Sequence, residues 1–376
     1  MKILFLATYG DFLATFELSN INLWIELGCI VHCASNFTEK KYNLKTEELD
    51  KIGVIKHEID FTRNPFDKSN LKSYKQLVKL IKKEHIDVID SHNAIIGAYA
   101  RVAASQCHIE KVIYTPHSFF FYEGCPLKNL LIYKNIESIL ATKTDLLITI
   151  NNEDYESAKK MKVRGKAIYV PGVGVNTQLI EKLPQKRDKY RKEFGIPKNA
   201  KLFISVGELI KRKNHEIAIR AFCKANIENS YYVICGIGEL DEKLHDLIED
   251  LGMSDRIKLL GYRLDAKEIM KASDVFFFPS IQEGLPVALI EAMSAGLPCI
   301  LSRIRGNIDL IEDNEGGIFF DPYDVQSVTQ ALKTFDRIDQ SIILAWEKRN
   351  IHKAKDYDIS NVRQIMKKEY SEFLVN

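Results

Sequence analysis

The sequence predicts an α/β protein with two doubly wound domains, and three features of the chain carry that prediction. Short apolar runs rich in β-branched residues alternate with longer amphipathic stretches, as in parallel sheets covered by helices. This alternation starts again in the second half of the 376 residues. A hydrophobic content of 46% over this length also exceeds what one core usually covers, which favours two domains.

The apolar runs predict strands in order along both halves. In the first half the strands are expected at residues 2–7, 30–34, 54–59, 88–90, 112–114, 146–150 and 167–170, and in the second at 202–206, 231–235, 257–260, 275–278, 299–302 and 317–320. Between the halves, residues 171–175 and the charged segment 181–189 have the composition of a hinge and linker. We therefore expect domains at 1–175 and 176–355, and a C-terminal helix at 356–376 that packs back on the first domain.

Charge and cysteine content limit the class of protein. The net charge is +2, from 53 basic and 51 acidic residues, so no overall attraction to nucleic acid is expected. The seven cysteines are scattered without a Cys-x-x-Cys pair and are typical of reduced thiols in the cytoplasm. The apolar run at residues 1–7 is too short for a signal peptide or a membrane span, and we interpret it as the first strand.

Two glutamates stand eight residues apart, with turn chemistry after Glu283 and an apolar helix leading to Glu291. Pro286 suits the first turn of a helix, so the helix is expected to start at 284–285 and to end near residue 295. Its free N–H groups suit a diphosphate, and the two carboxylates would lie roughly 12 Å apart along the axis. One could hold a sugar and the other a ribose, the alternative for Glu291 being an ordinary surface glutamate.

These motifs resemble the retaining glycosyltransferases of family 4 over nearly the whole chain. The resemblance rests on residues 283–291, on 205–209 with Lys213 and Asn214, on 236–238, and on Thr115, Pro116 and His117. It implies the GT-B fold, in which two Rossmann-like domains face a central cleft that holds the site. Segments 304–311 and 120–150 look most like members that build capsular and exopolysaccharide units, which implies a UDP-sugar donor and a lipid-linked saccharide acceptor.

The resemblance also implies individual roles. Glu283 would contact hydroxyls of the donor sugar, Lys213 would neutralise the leaving diphosphate, and His117 would stand near the reacting carbon. Further donor contacts would come from Gly207, Arg212, Gly236, Gly284, Leu285, Pro286, Val287 and Glu291. In the first domain, Gly10 of the N-terminal loop and His92 at a strand end are candidates for contact with the acceptor or the sugar, and each also fits a purely structural role.

One position departs from the family pattern. Glu208 stands where members commonly carry an arginine as the second phosphate cation. Either Lys211 or Arg212 reaches the phosphate instead, or the chain binds its donor weakly. Glu208 therefore leaves a non-catalytic protein that binds nucleotide-sugars as one alternative to a glycosyltransferase. A second alternative is a sugar-nucleotide epimerase, because two-domain folds of this kind also serve such enzymes.

No metal or other cofactor is expected, because the one Asp-x-Asp string, at 356–358, fits a surface helix boundary. The stretch 118–134 mixes aromatic residues, leucines and lysines, and residues 71–83 carry five lysines. Each has two interpretations: ordinary packing or solvation, and peripheral contact with a membrane. The expected location is cytoplasmic, at the inner face of the cell membrane.

Overall fold

The computed structural model describes residues 1–39, 46–62, 64 and 67–375, so Asn376 of the predicted terminal helix lies outside it. All thirteen predicted strands are present, with ends within two residues of the expected ones. They are β1 (Lys2–Tyr9), β2 (Ile30–Asn36), β3 (Ile55–Glu58), β4 (Val88–His92), β5 (Lys111–Thr115), β6 (Leu146–Thr149), β7 (Lys166–Tyr169), β8 (Lys201–Val206), β9 (Ser230–Cys235), β10 (Ile257–Leu259), β11 (Val275–Phe278), β12 (Cys299–Ser302) and β13 (Gly317–Phe320).

Helices connect the strands. They are α1 (Gly10–Phe12), α2 (Leu18–Glu26), α3 (Glu47–Lys51), α4 (Ser69–Glu84), α5 (Ala94–Gln106), α6 (Leu127–Ala141), α7 (Asn152–Ala158), α8 (Thr177–Glu181), α9 (Arg187–Glu193), α10 (His215–Ala225), α11 (Asp241–Asp250), α12 (Ala266–Ala272), α13 (Val287–Ser294), α14 (Asn307–Leu310), α15 (Val325–Asp336), α16 (Gln340–Ala354) and α17 (Ile359–Val375). A π-helical turn occupies Leu13–Glu17, and 3-10 turns occupy Lys211–Lys213 and Lys355–Tyr357. Within the described ranges, no helix combines the length and apolar content that crossing a bilayer requires.

The strands form two parallel sheets. One has the order β3-β2-β1-β4-β5-β6-β7 and the other β10-β9-β8-β11-β12-β13. In each sheet the strand order reverses at its central pair, β1 with β4 and β8 with β11, and ligands of such sheets bind beyond the carboxyl ends at this point. Two parallel sheets covered by helices confirm the predicted pair of Rossmann-like domains.

Contacts divide the chain into two compact units, Met1–Val173 with Ser360–Asn376, and Gly174–Ile359. The boundaries expected from composition stood at residues 175 and 355. In the first unit α17 contributes Val362, Met366 and Tyr370 to the core, where the Tyr370 ring stacks on Trp24 with centroids 4.2 Å apart. The terminal helix is thus part of the first unit's packing.

The expected surface boundary at 356–358 is wrong for its last two residues. Tyr357 and Asp358 are both buried. Asp358 Oδ2 accepts a 2.6 Å hydrogen bond from the Thr177 hydroxyl, and the Tyr357 hydroxyl donates to the carbonyl of Asp309. Burial of Asp358 is tolerated because its carboxylate has this donor, which a reading of charge pattern alone does not reveal.

Candidate active site

The first unit brings His92 and His117 together with a carboxylate that the sequence analysis missed. His92 ends β4, and His117 follows β5 with a φ of 58°, so both imidazoles stand at the carboxyl ends of neighbouring strands. His92 Nδ1 lies 3.0 Å from His117 Nε2. Glu17 Oε1 lies 3.4 Å from that His92 nitrogen and 3.3 Å from that His117 nitrogen. We call Glu17, His92 and His117 the histidine cluster.

Burial and charge set the protonation of the histidine cluster. Burial raises the pKa of Glu17, but the charge of His92 and the hydrogen bond from His117 outweigh burial and lower it. Burial lowers the pKa of His92, but Glu17 and Asp90 outweigh burial and raise it, Asp90 Oδ1 lying 3.3 Å from His92 Nε2. Burial dominates at His117 and lowers its pKa. The cluster therefore favours a charged Glu17 and His92 pair beside a neutral His117.

Aromatic residues hold the histidine cluster in place. The Phe12 ring meets the His117 ring edge-on at a centroid distance of 5.0 Å, and the Phe5 ring stacks on His92 at 5.5 Å. Gly10 begins α1 between β1 and Phe12, and a Cβ there would stand 2.1 Å from Phe37. The close approach of the Gly10 backbone to the Phe37 ring therefore explains a glycine at this position, for which the sequence predicted contact with a ligand.

The second unit gathers Lys213, Arg212 and Glu283 around one oxygen. Lys213 Nζ and Arg212 NH1 each lie 2.8 Å from Glu283 Oε1. Burial raises the pKa of Glu283, but the charges of Lys213 and then Arg212 outweigh burial and lower it. Lys213 is the more enclosed cation, with 12% of its side chain exposed against 36% for Arg212, and it also lies over the Phe278 ring. We call these three residues the cation clamp.

Elements at the centre of the second sheet position the cation clamp. Lys213 and Arg212 lie on the 3-10 turn Lys211–Lys213 that follows β8, and Glu283 follows β11, its neighbour in the sheet. Arg212 NH1 also donates to the carbonyl of Gln282 at 2.7 Å. Glu208, between β8 and this turn, accepts a hydrogen bond at its carbonyl from the Ile210 N–H.

The helix after Glu283 starts later than expected. We expected it from 284–285, whereas α13 begins at Val287 with Pro286 as its N-cap, at ψ 113°. Gly284 and Leu285 therefore form a loop in front of the helix. Gly306 packs against this loop, since a Cβ there would meet the carbonyl oxygen of Gly284 at 2.3 Å. The first N–H groups of α13 still lack partners within the helix.

Glu291 lies on α13 away from the cation clamp and has a cation of its own. Its Oε1 lies 3.0 Å from Lys267 Nζ on α12, and 15% of its side chain is exposed. Burial raises its pKa, and Lys267 offsets only part of that effect. The raised pKa indicates that Lys267 alone does not compensate for burial of this carboxylate. Its oxygens can therefore accept further hydrogen bonds, such as those from the hydroxyls of a ribose.

Gly207 and Gly236 stand side by side at the ends of β8 and β9. A Cβ on Gly236 would meet the carbonyl oxygen of Gly207 at 1.9 Å, and the Gly236 N–H donates to the carbonyl of Gly261. A Cβ on Gly207 would meet the Lys213 side chain at 3.3 Å. Close packing of two loops requires Gly236, while Gly207 leaves space beside the lysine of the cation clamp.

Sequence reasoning missed Glu17 and Asp90 as partners of the histidines. Glu17 ends a π-helical turn between Phe16 and Leu18, and such turns are frequent at functional sites. A glutamate between two apolar residues in the first loop is a pattern that indicates a buried carboxylate with hydrogen-bond or ion-pair partners. Asp90 lies two residues before His92 in a fully buried strand, so both face the same side of the sheet.

Two family models match the chain, one on each half. The model described as "Glycosyl transferase 4-like" matches residues 2–151, and the model described as "Glycosyl transferases group 1" matches residues 186–340. Their ranges include the histidine cluster and the cation clamp respectively.

Relatives agree with these matches. The chain is 34% identical over 322 residues to EpsD of Bacillus subtilis (strain 168), which is described as a glycosyltransferase, covering 84% of this chain and 82% of EpsD. It is 37% identical over 271 residues to the UDP-Gal:alpha-D-GlcNAc-diphosphoundecaprenol alpha-1,3-galactosyltransferase of Escherichia coli, covering 70% of each chain.

Solved structures share the fold. The HepE protein of Anabaena, in a complex with UDP and glucose, superposes with a TM-score of 0.79 at 19% identity, over 99% of this chain and all of HepE. The WaaG glycosyltransferase superposes with a TM-score of 0.74 at 18% identity, over 97% of this chain and 98% of WaaG. The chain belongs to the GT-B glycosyltransferases of group 1, as its resemblance to family 4 implied, and it is a glycosyltransferase.

Proposed function

We propose that this glycosyltransferase transfers a sugar from a UDP-sugar to a hydroxyl of a lipid-linked saccharide, with retention of the anomeric configuration, during assembly of a bacterial cell-surface polysaccharide. The observation that carries the proposal is the cation clamp in front of α13. Two cations and the N–H groups of a helix start are what a sugar diphosphate needs.

The clamp supports a division of labour on the donor. Lys213 and Arg212 stabilise the negative charge that builds on the diphosphate as it leaves, because fixed cations act most strongly on charge that develops in the transition state. Glu283 then accepts hydrogen bonds from sugar hydroxyls, and Glu291 accepts them from the ribose. The cations hold Glu283 ionised for this role, as its lowered pKa indicates.

The transfer step needs no protein nucleophile. The acceptor hydroxyl attacks the anomeric carbon on the face that the diphosphate leaves, the bond from that carbon to the phosphate oxygen breaks, and the hydroxyl proton passes to the leaving phosphate. The acceptor side is supported by the Escherichia coli relative, whose name specifies a sugar on diphosphoundecaprenol. The neutral His117 donates its Nε2 N–H to Glu17, so its Nδ1 would accept a hydrogen bond from a sugar hydroxyl.

We also propose that transfer requires no metal ion, because Lys213 and Arg212 supply the positive charge at the diphosphate. The histidine cluster offers three ligand atoms within 4.8 Å of one another, a spacing that a metal ion could use. Treatment with EDTA should leave the rate of UDP release unchanged. A rate that falls with EDTA and returns with one divalent cation would contradict this part of the proposal.

A donor panel tests the function. The purified protein is incubated with UDP-hexoses and UDP-N-acetylhexosamines, with and without a diphosphate-linked sugar acceptor. Release of UDP is followed, and the product is examined by NMR. We expect release that depends on the acceptor and an α-linked product from an α-linked donor. Binding of every donor without turnover, inversion of the linkage, or a changed sugar still attached to UDP would each contradict the proposal.

The acceptor also suggests a location. A lipid-linked saccharide resides in a bilayer, so we propose that the protein works in the cytoplasm at the inner face of the cell membrane. Fractionation of cells that produce the protein should recover part of it with membranes, and recovery in the soluble fraction alone would contradict this location.

A further inference from the structure

Helix α6 of the first unit turns its apolar side chains away from the core. Its buried residues are Glu137, Leu140 and Ala141. Glu137 Oε2 lies 2.8 Å from Arg101 NH1, and its Oε1 accepts a 2.9 Å hydrogen bond from the Tyr114 hydroxyl. The opposite side exposes five large apolar residues, Leu127 (69%), Leu131 (58%), Ile132 (54%), Ile136 (41%) and Ile139 (65%). An amphipathic helix that only packs on its own domain has the reverse arrangement.

An apolar groove of about 790 Å³ opens beside this side of α6, with walls from α4, α5 and α6. Its lining includes the exposed side chains of Leu71, Val102, Ile136 and Ile139. Single exposed apolar residues are ordinary on a protein surface, but these come from three helices and form one continuous patch with the rest of α6. A patch of this kind indicates an interaction surface.

A basic stripe follows α4 next to the groove. Lys68, Lys72, Lys75 and Lys79 recur at helical spacing and are all exposed, and Leu71 borders both the stripe and the groove. Lys72 lies 3.8 Å from Asp60, a contact too long and too exposed to neutralise the stripe. The apolar patch is therefore flanked by positive charge.

We propose that this surface, which we call the α4–α6 face, docks on a bilayer that contains anionic lipid. The apolar side chains of α6 enter the boundary between headgroups and acyl chains, and the lysines of α4 contact anionic headgroups. Charge favours a membrane over a second copy of the chain, since a symmetric dimer through this face would bring two basic stripes close together. Docking through this face rests on the proposed location at the membrane, but it requires neither donor nor acceptor and can therefore fail or hold independently of the transfer reaction.

Vesicle flotation tests the α4–α6 face. The full chain is mixed with vesicles of phosphatidylethanolamine and phosphatidylglycerol, or of phosphatidylcholine alone, at low and high salt. We expect it to float with the anionic vesicles and to be released by salt. The double variant Leu131→Gln/Ile132→Gln should bind at least tenfold more weakly, and Lys75→Ala/Lys79→Ala should lose about fivefold for each lysine removed.

Matched controls come from exposed positions elsewhere. Leu264→Gln removes an exposed leucine of the second unit, and Lys348→Ala/Lys367→Ala removes two exposed lysines that lie outside the face. Both should bind vesicles as the wild type does. All variants should release UDP at the wild-type rate with a short-chain acceptor that stays in solution. Loss of docking is thereby distinguished from loss of catalysis.

Several results would overturn the proposal. One is a wild type that stays with the soluble fraction in every vesicle mixture. A second is equal binding by the α6 variant and the Leu264→Gln control. A third is light scattering that shows a dimer in the wild type and a monomer in Leu131→Gln/Ile132→Gln, without vesicle binding, since the face would then join two copies of this chain.

Discussion

Glu283 is ionised in a buried position because two cations contact the same carboxylate oxygen. The arrangement is asymmetric: Lys213 is enclosed and lies over Phe278, while Arg212 is more exposed and shares its guanidinium with a backbone carbonyl. Electrostatic interactions strengthen where water is excluded, so the lysine should carry most of the effect on a leaving diphosphate. The resemblance to family 4 implies donor contacts for all three residues, but no sequence pattern predicts that they meet at one oxygen.

Glu291→Gln should separate stability from function. Burial raises the pKa of Glu291, so the folded state holds its proton more tightly than the unfolded state, and stability falls as the pH rises through that range. In the glutamine variant, stability should no longer decrease over this pH range, so the variant should unfold at a higher urea concentration than the wild type near neutral pH. Its affinity for UDP should nevertheless drop roughly tenfold or more, the effect of losing a hydrogen bond to a charged group.

Urea unfolding across pH and calorimetric titration with UDP would measure both effects. Lys267→Ala is the matched control, because it removes the cation beside Glu291 while leaving the carboxylate. If Glu291→Gln binds UDP as tightly as the wild type, the ribose role is wrong.

Glu17→Gln should lower the pKa of His92. Glu17 and Asp90 raise that pKa against burial, and His92 then stabilises the fold below its unfolded pKa, an effect that is lost as the pH rises through the folded value. NMR titration of the imidazole resonances would follow the change. Glu26→Gln, which breaks an exposed ion pair with Arg363 on the same unit, is the control and should leave His92 unchanged. An unshifted His92 in Glu17→Gln would exclude the ion pair.

At the scale of elements, the loop between β11 and α13 is held from outside. Gly306 has a φ of +78° and approaches the carbonyl of Gly284 so closely that only a glycine fits. This contact fixes the chain that runs from Glu283 of the cation clamp to the free N–H groups of α13. Gly284 itself lies outside the helix, which begins at Val287.

Gly306→Ala should therefore disturb both stability and donor binding. A Cβ at this position adds a clash with Gly284 to the conformational penalty, and together these cost roughly 1–3 kcal/mol of unfolding free energy. Gly252→Ala is a close control, since Gly252 has a φ of +63° with nothing within 4 Å of the added Cβ. We expect both variants to be less stable in urea, but only Gly306→Ala to raise the KM for the donor. Equal KM values would contradict the role of the contact.

The elements were easier to predict than the contacts among them. Apolar runs such as those of β4 and β11 are buried on both faces of a parallel sheet, so composition alone marks them as strands. The histidine cluster depends on Glu17, which reaches His92 and His117 from a different part of the chain, and no local pattern specifies that meeting. The start of α13 was misplaced because Pro286 fits an N-cap as well as a first turn.

At the scale of the molecule, each unit has its own sheet and its own core, and each contains one of the two tryptophans. Trp24 is fully buried in the first unit, and Trp346 is buried in the second, where its Nε1 donates to the carbonyl of Asn314. The fluorescence of single-tryptophan variants therefore reports on the unfolding of each unit by itself.

UDP should stabilise the second unit selectively. A ligand that binds only the native state adds about 2.7 kcal/mol at one hundred times its Kd. We expect UDP to raise the urea midpoint of the Trp24→Phe variant, which reports through Trp346, more than that of Trp346→Phe, which reports through Trp24. The variants without UDP supply the baseline. A larger shift through Trp24 would place the nucleotide site on the first unit instead.

The most direct test of the cation clamp is the rate at which the variants Lys213→Ala and Arg212→Ala release UDP from a UDP-sugar, with saturating donor and acceptor. Removing the enclosed cation should lower kcat by roughly 10²–10³-fold, the size expected for losing one fixed group that stabilises developing negative charge. Removing the exposed Arg212 should have a far smaller effect. Unchanged turnover in Lys213→Ala would contradict the account, because Lys213 is the more enclosed of the two cations at the Glu283 carboxylate oxygen.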